Sequence, residues 1–182
     1  MLTIIIRNED FISESNVEIT EKNDINHVKN VYRYKTGDTI RLIDGKFEYK
    51  AVITEMGNKR ILLCVTEKHE DKYSLRVELD IALGILKNDK MNMALQKLTE
   101  IGINKIIPLK TDRVVVKLSD SKEKWNTVTE EALKQCRGVK IPEIEKILTL
   151  KDIEFSAYDK VLFAYENSSE NKPVFTLLSG EE

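Results

Sequence analysis

The sequence has few of the residues that build metal sites and disulfide frameworks. Its 182 residues include only two cysteines and two histidines. Cys64 and Cys136 do not have the spacing of metal ligands and fall in different predicted domains, which favours free buried thiols over a disulfide or a zinc site. His27 and His69 complete no metal cluster. We therefore expect no bound metal.

Long apolar runs are also missing. No stretch approaches the roughly 20 apolar residues that a membrane-spanning helix needs. The apolar segment at residues 1–6 is too short for a signal peptide and is followed by mixed charge. These absences predict a cytoplasmic protein that does not bind membranes.

The net charge of −2 argues against a generally basic nucleic-acid binder, but the charge is unevenly distributed. Residues 87–140 hold 12 basic and 7 acidic side chains, whereas residues 141–182 hold 4 and 9. The basic excess in the middle of the chain suits contact with a phosphate backbone. On charge alone, solvated lysines are the favoured explanation.

The segment KNDKMNMALQKLTEIG, residues 87–102, predicts a helix with two distinct faces. Steps of three and four residues define an apolar stripe. The stripe consists of Met91, Ala94, Leu95, Leu98 and Ile101. A second face carries Lys90, Met93, Lys97 and Glu100, with Gln96 beside them. Asn88 or Asp89 can cap the helix, and Gly102 suits its end.

Apolar runs at residues 77–86 and 105–109 flank this helix, as in a parallel strand–helix–strand crossover. A second helix is predicted with an inward stripe of Trp125, Val128, Ala132 and Cys136, an acidic capping box at Asp120 and Glu123, and Pro142 beyond its end. Further strands are expected at residues 161–165 and from residue 173. The pattern indicates an α/β domain.

The region before residue 67 predicts a small closed or partly closed β-barrel. Short strands are expected at residues 2–7, 17–20, 39–43, 47–54 and 60–65, with a helix from residue 23 or 24 to about 33. Asp44-Gly45 tolerates the positive φ angles of a tight hairpin turn. The polar segment EKHEDKYS, residues 67–74, has neither the helical nor the strand period and is predicted to be a linker.

Three motifs resemble a known family. HVKNVYRYKTGDTIRLIDG (27–45), QKLTEIG with IIPLKTDRVVV (96–116), and EALKQCRGVKIPEI (131–144) occur in order. They are similar to signatures of the bacterial small-subunit ribosomal RNA methyltransferases that modify uridine at N3. Three ordered motifs over about 140 residues are far more specific than any one alone.

The resemblance implies a fold class and an activity. It implies a PUA-like RNA-binding β-barrel at residues 1–72, followed at residues 73–182 by the first half of a SPOUT-class parallel α/β domain with a deep trefoil knot. It also implies methyl transfer from S-adenosylmethionine to ribosomal RNA of the small subunit, and a homodimer. Two late family segments that build the methyl-donor site and the knot, a Gly-Pro-Glu-Gly-Gly loop and a Leu-Gly…Leu-Arg-x-Glu-Thr-Ala stretch, are absent from these 182 residues. We therefore expect this chain to bind no cofactor and to be inactive alone.

The candidate RNA-binding residues fall into three groups, and no catalytic residue is assigned. Arg113 follows the end of the strand at 105–109, where parallel sheets place ligands. An arginine there suits phosphate or carboxylate. The other candidates are Arg33, Lys35 and Arg41 in the barrel, Lys90, Gln96, Lys97 and Glu100 on the first helix, and Gln135 and Arg137 at the end of the second.

Several candidates have a purely structural alternative. The three barrel cations can be solvated strand edges, and Glu100 can pair with Lys97 on the helix surface. Gln96 and Thr99 can support the following loop by hydrogen bonds. We expect His27 to anchor the short helix, and Met91 and Met93 to pack. At the level of the whole chain, the alternatives are a non-catalytic RNA-binding or ribosome-associated module, and an unrelated two-domain α/β protein that binds a small anion.

Overall fold

A computed structural model describes residues 1–87, 89–112 and 121–164, apart from the side chains of Ser121 and Lys122. Residues 1–151 form one compact unit, and a second unit begins at Asp152. Among the residues described, we find no helix with the length and apolarity required to cross a bilayer.

The larger unit begins with a curled six-stranded sheet, a half-barrel. Its strands are Thr3–Ile5 (β1), Phe11–Ser13 (β2), Asn16–Ile19 (β3), Thr39–Ile43 (β4), Phe47–Met56 (β5) and Ile61–Glu70 (β6). Their order is β1-β4-β5-β6-β3-β2, and only the β1–β4 pair is parallel. Alternating apolar side chains from these strands form a shared core that includes Ile4, Ile40, Ile53 and Leu63. The β-rich N-terminal region that the sequence predicts is therefore confirmed.

The Asp44-Gly45 turn joins β4 to β5 as predicted. Gly45 has φ +90°, a conformation that a residue with a Cβ atom rarely adopts. Asp44 fixes the turn because its Oδ1 accepts hydrogen bonds from the backbone N–H groups of Lys46 (2.9 Å) and Phe47 (2.7 Å). Its Oδ2 accepts a 2.6 Å bond from the Tyr49 hydroxyl. The turn is thus held by the carboxylate as well as by the glycine.

A short helical segment connects β3 to β4. The α-helix Lys22–Asn26 (α1) continues into a π-helical turn at His27–Val31. Ile25 and Val28 are buried in the half-barrel core. The predicted helix is confirmed in place, but its second half has the wider π geometry.

The rest of the larger unit is the predicted parallel α/β arrangement. Strand Asp80–Gly84 (β7), helix Asp89–Ile101 (α2), strand Lys105–Leu109 (β8), helix Ser121–Gln135 (α3) and strand Glu143–Ile144 (β9) follow one another. The sheet order is β7-β8-β9, with both pairs parallel. Met91, Leu95 and Trp125 pack with Ile106 and Ile144 in its core. The two successive crossovers confirm the expected architecture.

Helix α2 ends at a glycine as the sequence predicts. Gly102 has φ +87°. Its N–H bonds to the carbonyl of Thr99 at 3.0 Å, and the N–H of Ile103 bonds to the carbonyl of Leu98 at 3.1 Å. This pair of bonds is a Schellman motif, which satisfies two carbonyls at the helix end. The proposed start at Asn88 lies outside the described residues.

Two expectations for the side chains of α2 are wrong. Ile101 is 57% exposed and Met93 is 64% exposed, so neither belongs to the core. The buried stripe runs instead through Met91, Leu95 and Thr99. Ile101 occupies the last helical position and lines a surface cavity, which explains its exposure.

The polar segment after residue 66 is not a linker throughout. Strand β6 continues to Glu70, and residues 67–70 pair with residues 47–50 of β5. Backbone hydrogen bonds hold this extension although its side chains face solvent. The extension therefore forms without the alternation of apolar and polar residues that identifies a strand in a sequence.

The strand expected at residues 161–165 is also wrong where the structure describes it. Residues 161–164 have no regular secondary structure, and Phe163 is 78% exposed. Tyr165, the capping box at Asp120 and the segment from residue 173 lie outside the described residues.

The half-barrel is fastened to the end of α3. Arg41 of β4 is 7% exposed, and its Nη2 donates to the carbonyls of Arg137 (2.9 Å) and Gly138 (3.1 Å). Its Nη1 donates to the carbonyl of Cys136 (3.3 Å), and Nε donates to Glu48 (2.9 Å). The backbone carbonyls that directly follow α3 thus receive hydrogen bonds from a side chain of the neighbouring sheet.

Two further contacts cross this junction. Ile43, Leu133 and Val139 form a small buried cluster that joins the sheet to α3. Lys134 of α3 forms a 3.0 Å ion pair with Asp24, which is itself buried. The half-barrel and the α/β region are therefore held together by apolar packing and by directional polar contacts.

Candidate nucleic-acid interface

The outward face of α2 is exposed as predicted, but its charges pair with each other. Lys97 Nζ lies 2.7 Å from Glu100 Oε2, and Gln96 Nε2 donates to Glu100 Oε1 at 3.0 Å. The hydrogen bond from Lys97 lowers the pKa of Glu100, with a further contribution from Gln96. A carboxylate with a lowered pKa is a weak general base. Lys90 remains an exposed cation about two turns nearer the start of the helix.

Thr99 has a structural role. Its side chain is 2% exposed, and its hydroxyl donates to the carbonyl of Leu95 at 2.8 Å. The buried hydroxyl is therefore satisfied within its own helix. The sequence allowed both Gln96 and Thr99 to support the following loop. In the structure, Thr99 bonds to Leu95 and Gln96 bonds to Glu100, so neither bond reaches that loop.

A cavity of about 370 Å³ opens beside the end of α2. Glu78 precedes β7 and Asn104 precedes β8, so the cavity lies at the amino ends of the parallel strands. Its other walls come from the end of α2 and from the segment after α3. Ligands of open parallel sheets usually bind at the opposite, carboxyl ends. The cavity is therefore a separate site from the edge at which Arg113 was expected to act.

Two cations line this cavity. Arg137 Nη1 donates to the Tyr73 hydroxyl at 3.1 Å, and its guanidinium carbon lies 5.5 Å from the centre of the Tyr73 ring. Lys140 Nζ donates to Asn104 Oδ1 at 2.6 Å and lies 3.9 Å from Glu78. Arg137 thus places a guanidinium group beside an aromatic ring. A nucleotide could stack its base on the ring and bind the guanidinium through its phosphate. Gln135 is exposed two residues earlier, at the last position of α3.

Two backbone amides at the carboxyl edge of the sheet form hydrogen bonds within the protein. Arg113 itself lies outside the described residues. The backbone N–H groups that follow the two strands are already used: Ile85 donates to Leu109 (3.0 Å) and Lys110 to Leu148 (2.8 Å). These two amides are therefore used within the protein and are not available to a ligand.

Arg33 and Lys35 are exposed on the segment between the π-helical turn and β4. Arg33 has φ +55°, the one positive value at a non-glycine position among the described residues. Such conformations are uncommon for residues with a Cβ atom and concentrate at functional sites. Arg33 therefore becomes a stronger candidate than the sequence alone made it.

Arg41 does not fit the role of a phosphate ligand that the sequence allowed. Its Nε donates to Glu48 within the half-barrel, and both of its terminal nitrogens donate to backbone carbonyls across the junction with α3. An arginine whose donors are occupied in a buried site is a structural clamp. The strand pattern could not reveal this, because the partners are backbone carbonyls about 95 residues away in the sequence.

Sequence reasoning also missed residues of the cavity. Tyr73 fell within the predicted linker, and Asn104 carried no signal beyond its position between a helix and a strand. An aromatic residue in an otherwise polar segment was the available clue for Tyr73. Among the described residues, no group of three or more His, Cys, Asp or Glu side chains could hold a metal ion. Cys64 and Cys136 are free, partly buried thiols.

Two family models match this chain. The RNA methyltransferase domain matches residues 73–181, and the RNA methyltransferase PUA domain matches residues 19–65. The first match covers more than half of the sequence and contains the parallel α/β region. The second lies within the half-barrel.

Curated proteins similar to this chain are ribosomal RNA methyltransferases. The ribosomal RNA small subunit methyltransferase E of Bacillus subtilis is 31% identical over 155 residues, which cover 80% of this chain and 60% of the relative. The protein of the same name from Rickettsia conorii is 30% identical over 173 residues, which cover 94% of this chain and 70% of that protein. The chain thus spans between 60% and 70% of the length of these relatives.

A solved structure supports the fold. The ribosomal RNA small subunit methyltransferase E from Neisseria gonorrhoeae, bound to S-adenosyl methionine, superimposes with a TM-score of 0.73 at 21% identity. The match covers 82% of this chain and 62% of that one. From its matched domains, its relatives and its half-barrel followed by a parallel α/β region, the chain belongs to the RNA methyltransferase family that includes the ribosomal RNA small subunit methyltransferases E.

Proposed function

We propose that this chain is the front portion of an S-adenosylmethionine-dependent methyltransferase that modifies N3 of a uridine in small-subunit ribosomal RNA. The observation that carries the proposal is the match of residues 73–181 to the RNA methyltransferase domain, together with the match of residues 19–65 to the RNA methyltransferase PUA domain. The clamp of Arg41 on the carbonyls of Arg137 and Gly138 holds these two regions together. Methyl transfer depends mainly on such positioning.

The proposal assigns a role to each region. Residues 1–72 form the PUA-like RNA-binding barrel, and residues 73–182 form the first half of a SPOUT-class domain. The family resemblance adds a trefoil knot and a homodimer for the complete enzyme, and a cytoplasmic location where ribosomal RNA is found. Arg33, Lys35 and Arg137 are the proposed phosphate contacts, with Lys90 and Lys97 on α2, Gln135 on α3 and Arg113 as secondary candidates.

The chemistry requires removal of the N3 proton and alignment of the resulting lone pair. S-adenosylmethionine supplies the methyl group when it is bound. Glu100 is a poor base for the proton, because its hydrogen bonds lower its pKa. We assign the base to none of the described residues.

We expect the 182-residue chain to bind RNA without methylating it. The donor-site segments that the family resemblance implies do not occur in its sequence. Calorimetric titration with S-adenosylmethionine should give no saturable heat, and incubation with small ribosomal subunits and labelled donor should give no labelled RNA. Measurable turnover would refute the expected inactivity.

Direct binding to small-subunit ribosomal RNA tests the proposed RNA-binding role. Affinity should fall as salt rises from about 50 to 200 mM, because phosphate contacts release counterions. The double variant R33A/K35A should bind more weakly and with a shallower salt dependence, by about one unit of slope per lost contact. Arg7→Ala, which removes an exposed arginine outside the proposed contacts, is the control. No binding by the wild-type chain would overturn the proposal.

A further inference from the structure

The segment Val31–Lys35 of the half-barrel brings together three unusual features. A π-helical turn at His27–Val31 leads directly into Tyr32, whose side chain is 50% exposed. Arg33 follows in the left-handed conformation. π-helical turns and left-handed non-glycine residues are both uncommon and are both enriched at functional sites. Their occurrence within a few residues of each other makes this turn a candidate functional site.

The backbone of the turn is fixed from both sides. The N–H of Tyr32 bonds to the carbonyl of His27 at 2.9 Å, and the N–H of Tyr34 bonds to the carbonyl of Val28 at 2.9 Å. Val28 is fully buried in the half-barrel core. The exposed ring of Tyr32 is therefore presented by a rigid segment.

A second tyrosine supports that ring. The centres of the Tyr32 and Tyr34 rings are 5.7 Å apart at an angle of 57°. Tyr34 is partly buried against the barrel core, and its hydroxyl accepts a hydrogen bond from the N–H of Leu2 at 3.3 Å. An anchored neighbour reduces the conformational entropy that an exposed aromatic ring loses when it binds.

The surroundings of Tyr32 are cationic. Arg33 and Lys35 are exposed, and neither forms an ion pair with any residue in the described ranges. Lys29, by contrast, is occupied because its Nζ donates to Gly57 (3.1 Å) and Asn58 (2.7 Å). An aromatic ring beside uncompensated cations matches a nucleotide, in which a base is flanked by phosphates.

We propose that Tyr32 is a stacking platform for one unpaired base of the RNA, with Arg33 and Lys35 contacting the phosphates on either side. The inference rests on the proposed function in so far as the half-barrel binds RNA. It adds the substrate class: a single-stranded segment, since a base inside a duplex cannot offer its face to a side chain. A protein partner would instead use the exposed Val31 and Tyr32 as an apolar contact.

Binding of the 182-residue chain to a single-stranded RNA of about 12 nucleotides, and to a duplex of the same length, tests this proposal. Tyr32→Ala should weaken single-strand binding roughly 5- to 100-fold, the range expected for one base–aromatic stack. Tyr32→Phe keeps the ring and should remain within about twofold of wild type. Phe155→Ala, which removes another exposed aromatic residue, is the control. Circular dichroism confirms that each variant is folded.

Three outcomes would overturn the stacking proposal. One is a Tyr32→Ala variant that binds single strands as tightly as the wild type. Another is a Tyr32→Phe variant that loses as much affinity as Tyr32→Ala, which would assign the effect to the hydroxyl. The third is an equal loss on duplex RNA. If the wild-type chain binds neither RNA, the proposed RNA-binding function itself fails, so the two failures are distinguishable.

Discussion

The guanidinium of Arg41 in β4 donates to the backbone carbonyl of Arg137 at 2.9 Å, across the junction between the half-barrel and the α/β region. The same Nη2 atom also bonds to Gly138, and Nη1 bonds to Cys136. One side chain thus satisfies three carbonyls at the end of α3. The guanidinium of Arg137 itself lines the cavity. The clamp therefore fixes the backbone position of a residue that we propose to contact RNA.

The first prediction concerns this clamp. Arg41→Ala should lower the free energy of unfolding by about 2–4 kcal/mol, because it leaves partly buried carbonyls and Glu48 without their donor. Arg41→Lys should recover only a fraction of the loss, since an ammonium cannot reproduce the planar fork. Urea denaturation measures both. Arg60→Ala is a matched control: its ion pairs with Glu18 and Glu55 are exposed, and its loss should cost less than about 1 kcal/mol. Equal effects at the two positions would contradict the clamp.

The second prediction concerns the pH dependence of the Asp44 turn. Burial alone raises the pKa of Asp44, but the Tyr49 hydroxyl and the N–H groups of Phe47 and Lys46 outweigh it and hold this pKa below its ordinary value. A depressed pKa in the folded state stabilises the protein above the pKa of the unfolded carboxyl, about 4. That contribution is lost as the pH falls through the lower folded pKa.

Tyr49→Phe tests this dependence. At pH 7 it should lower the free energy of unfolding by about 1–3 kcal/mol, because a hydrogen bond to a charged group is lost. The difference from wild type should shrink as the pH falls below about 4. Tyr32→Phe, which removes an exposed hydroxyl, should have little effect at either pH. A Tyr49→Phe penalty that is constant from neutral to acidic pH would refute the assigned charge on Asp44.

Elements that a few neighbouring residues specify were predicted correctly from the sequence, whereas elements held by distant contacts were not. β4, β8, the Asp44-Gly45 turn and the end of α2 at Gly102 were predicted correctly, because periodicity, turn residues and a helix-ending glycine each act within a few positions. The extension of β6 to Glu70 was missed because backbone pairing with β5 holds it while its side chains are solvated.

Long-range polar contacts were not predictable for a different reason. Arg41 looks like any other strand cation in the sequence, and its partners are backbone carbonyls that any residue type would provide. Arg137, by contrast, was found from its motif. Its ring partner Tyr73 was not found, because the two are 64 residues apart in the chain. The sequence therefore identified one member of the Arg137–Tyr73 pair, and the fold supplied the other.

The third prediction tests the end of α2. Gly102→Ala should lower the free energy of unfolding by about 1 kcal/mol, because the left-handed conformation at φ +87° disfavours a Cβ atom. An added Cβ would meet no atom within 4 Å, so the cost is conformational and not steric. Gly84→Ala is the control: its added Cβ would lie 3.8 Å from Thr111, an ordinary contact. Urea unfolding that ranks Gly84→Ala as the more harmful change would contradict this reading of α2.

The fourth prediction concerns the cavity. Arg137→Ala should weaken binding to small-subunit ribosomal RNA several-fold and make its salt dependence shallower, because one phosphate contact is lost. Lys146→Ala removes an exposed lysine outside the cavity and is the matched control. The readout is affinity at several salt concentrations. If the two variants behave alike, the cavity does not belong to the RNA-binding surface.

The central claim is that this chain binds RNA through the turn at Tyr32–Lys35 and through the cavity beside the end of α2. Ultraviolet crosslinking of the chain to small-subunit ribosomal RNA, with the attached peptides identified by mass spectrometry, tests it most directly. The account predicts crosslinks at Tyr32 and at Tyr73. Crosslinks confined to peptides that contain neither residue, or an absence of crosslinks at concentrations where the RNA is bound, would contradict it.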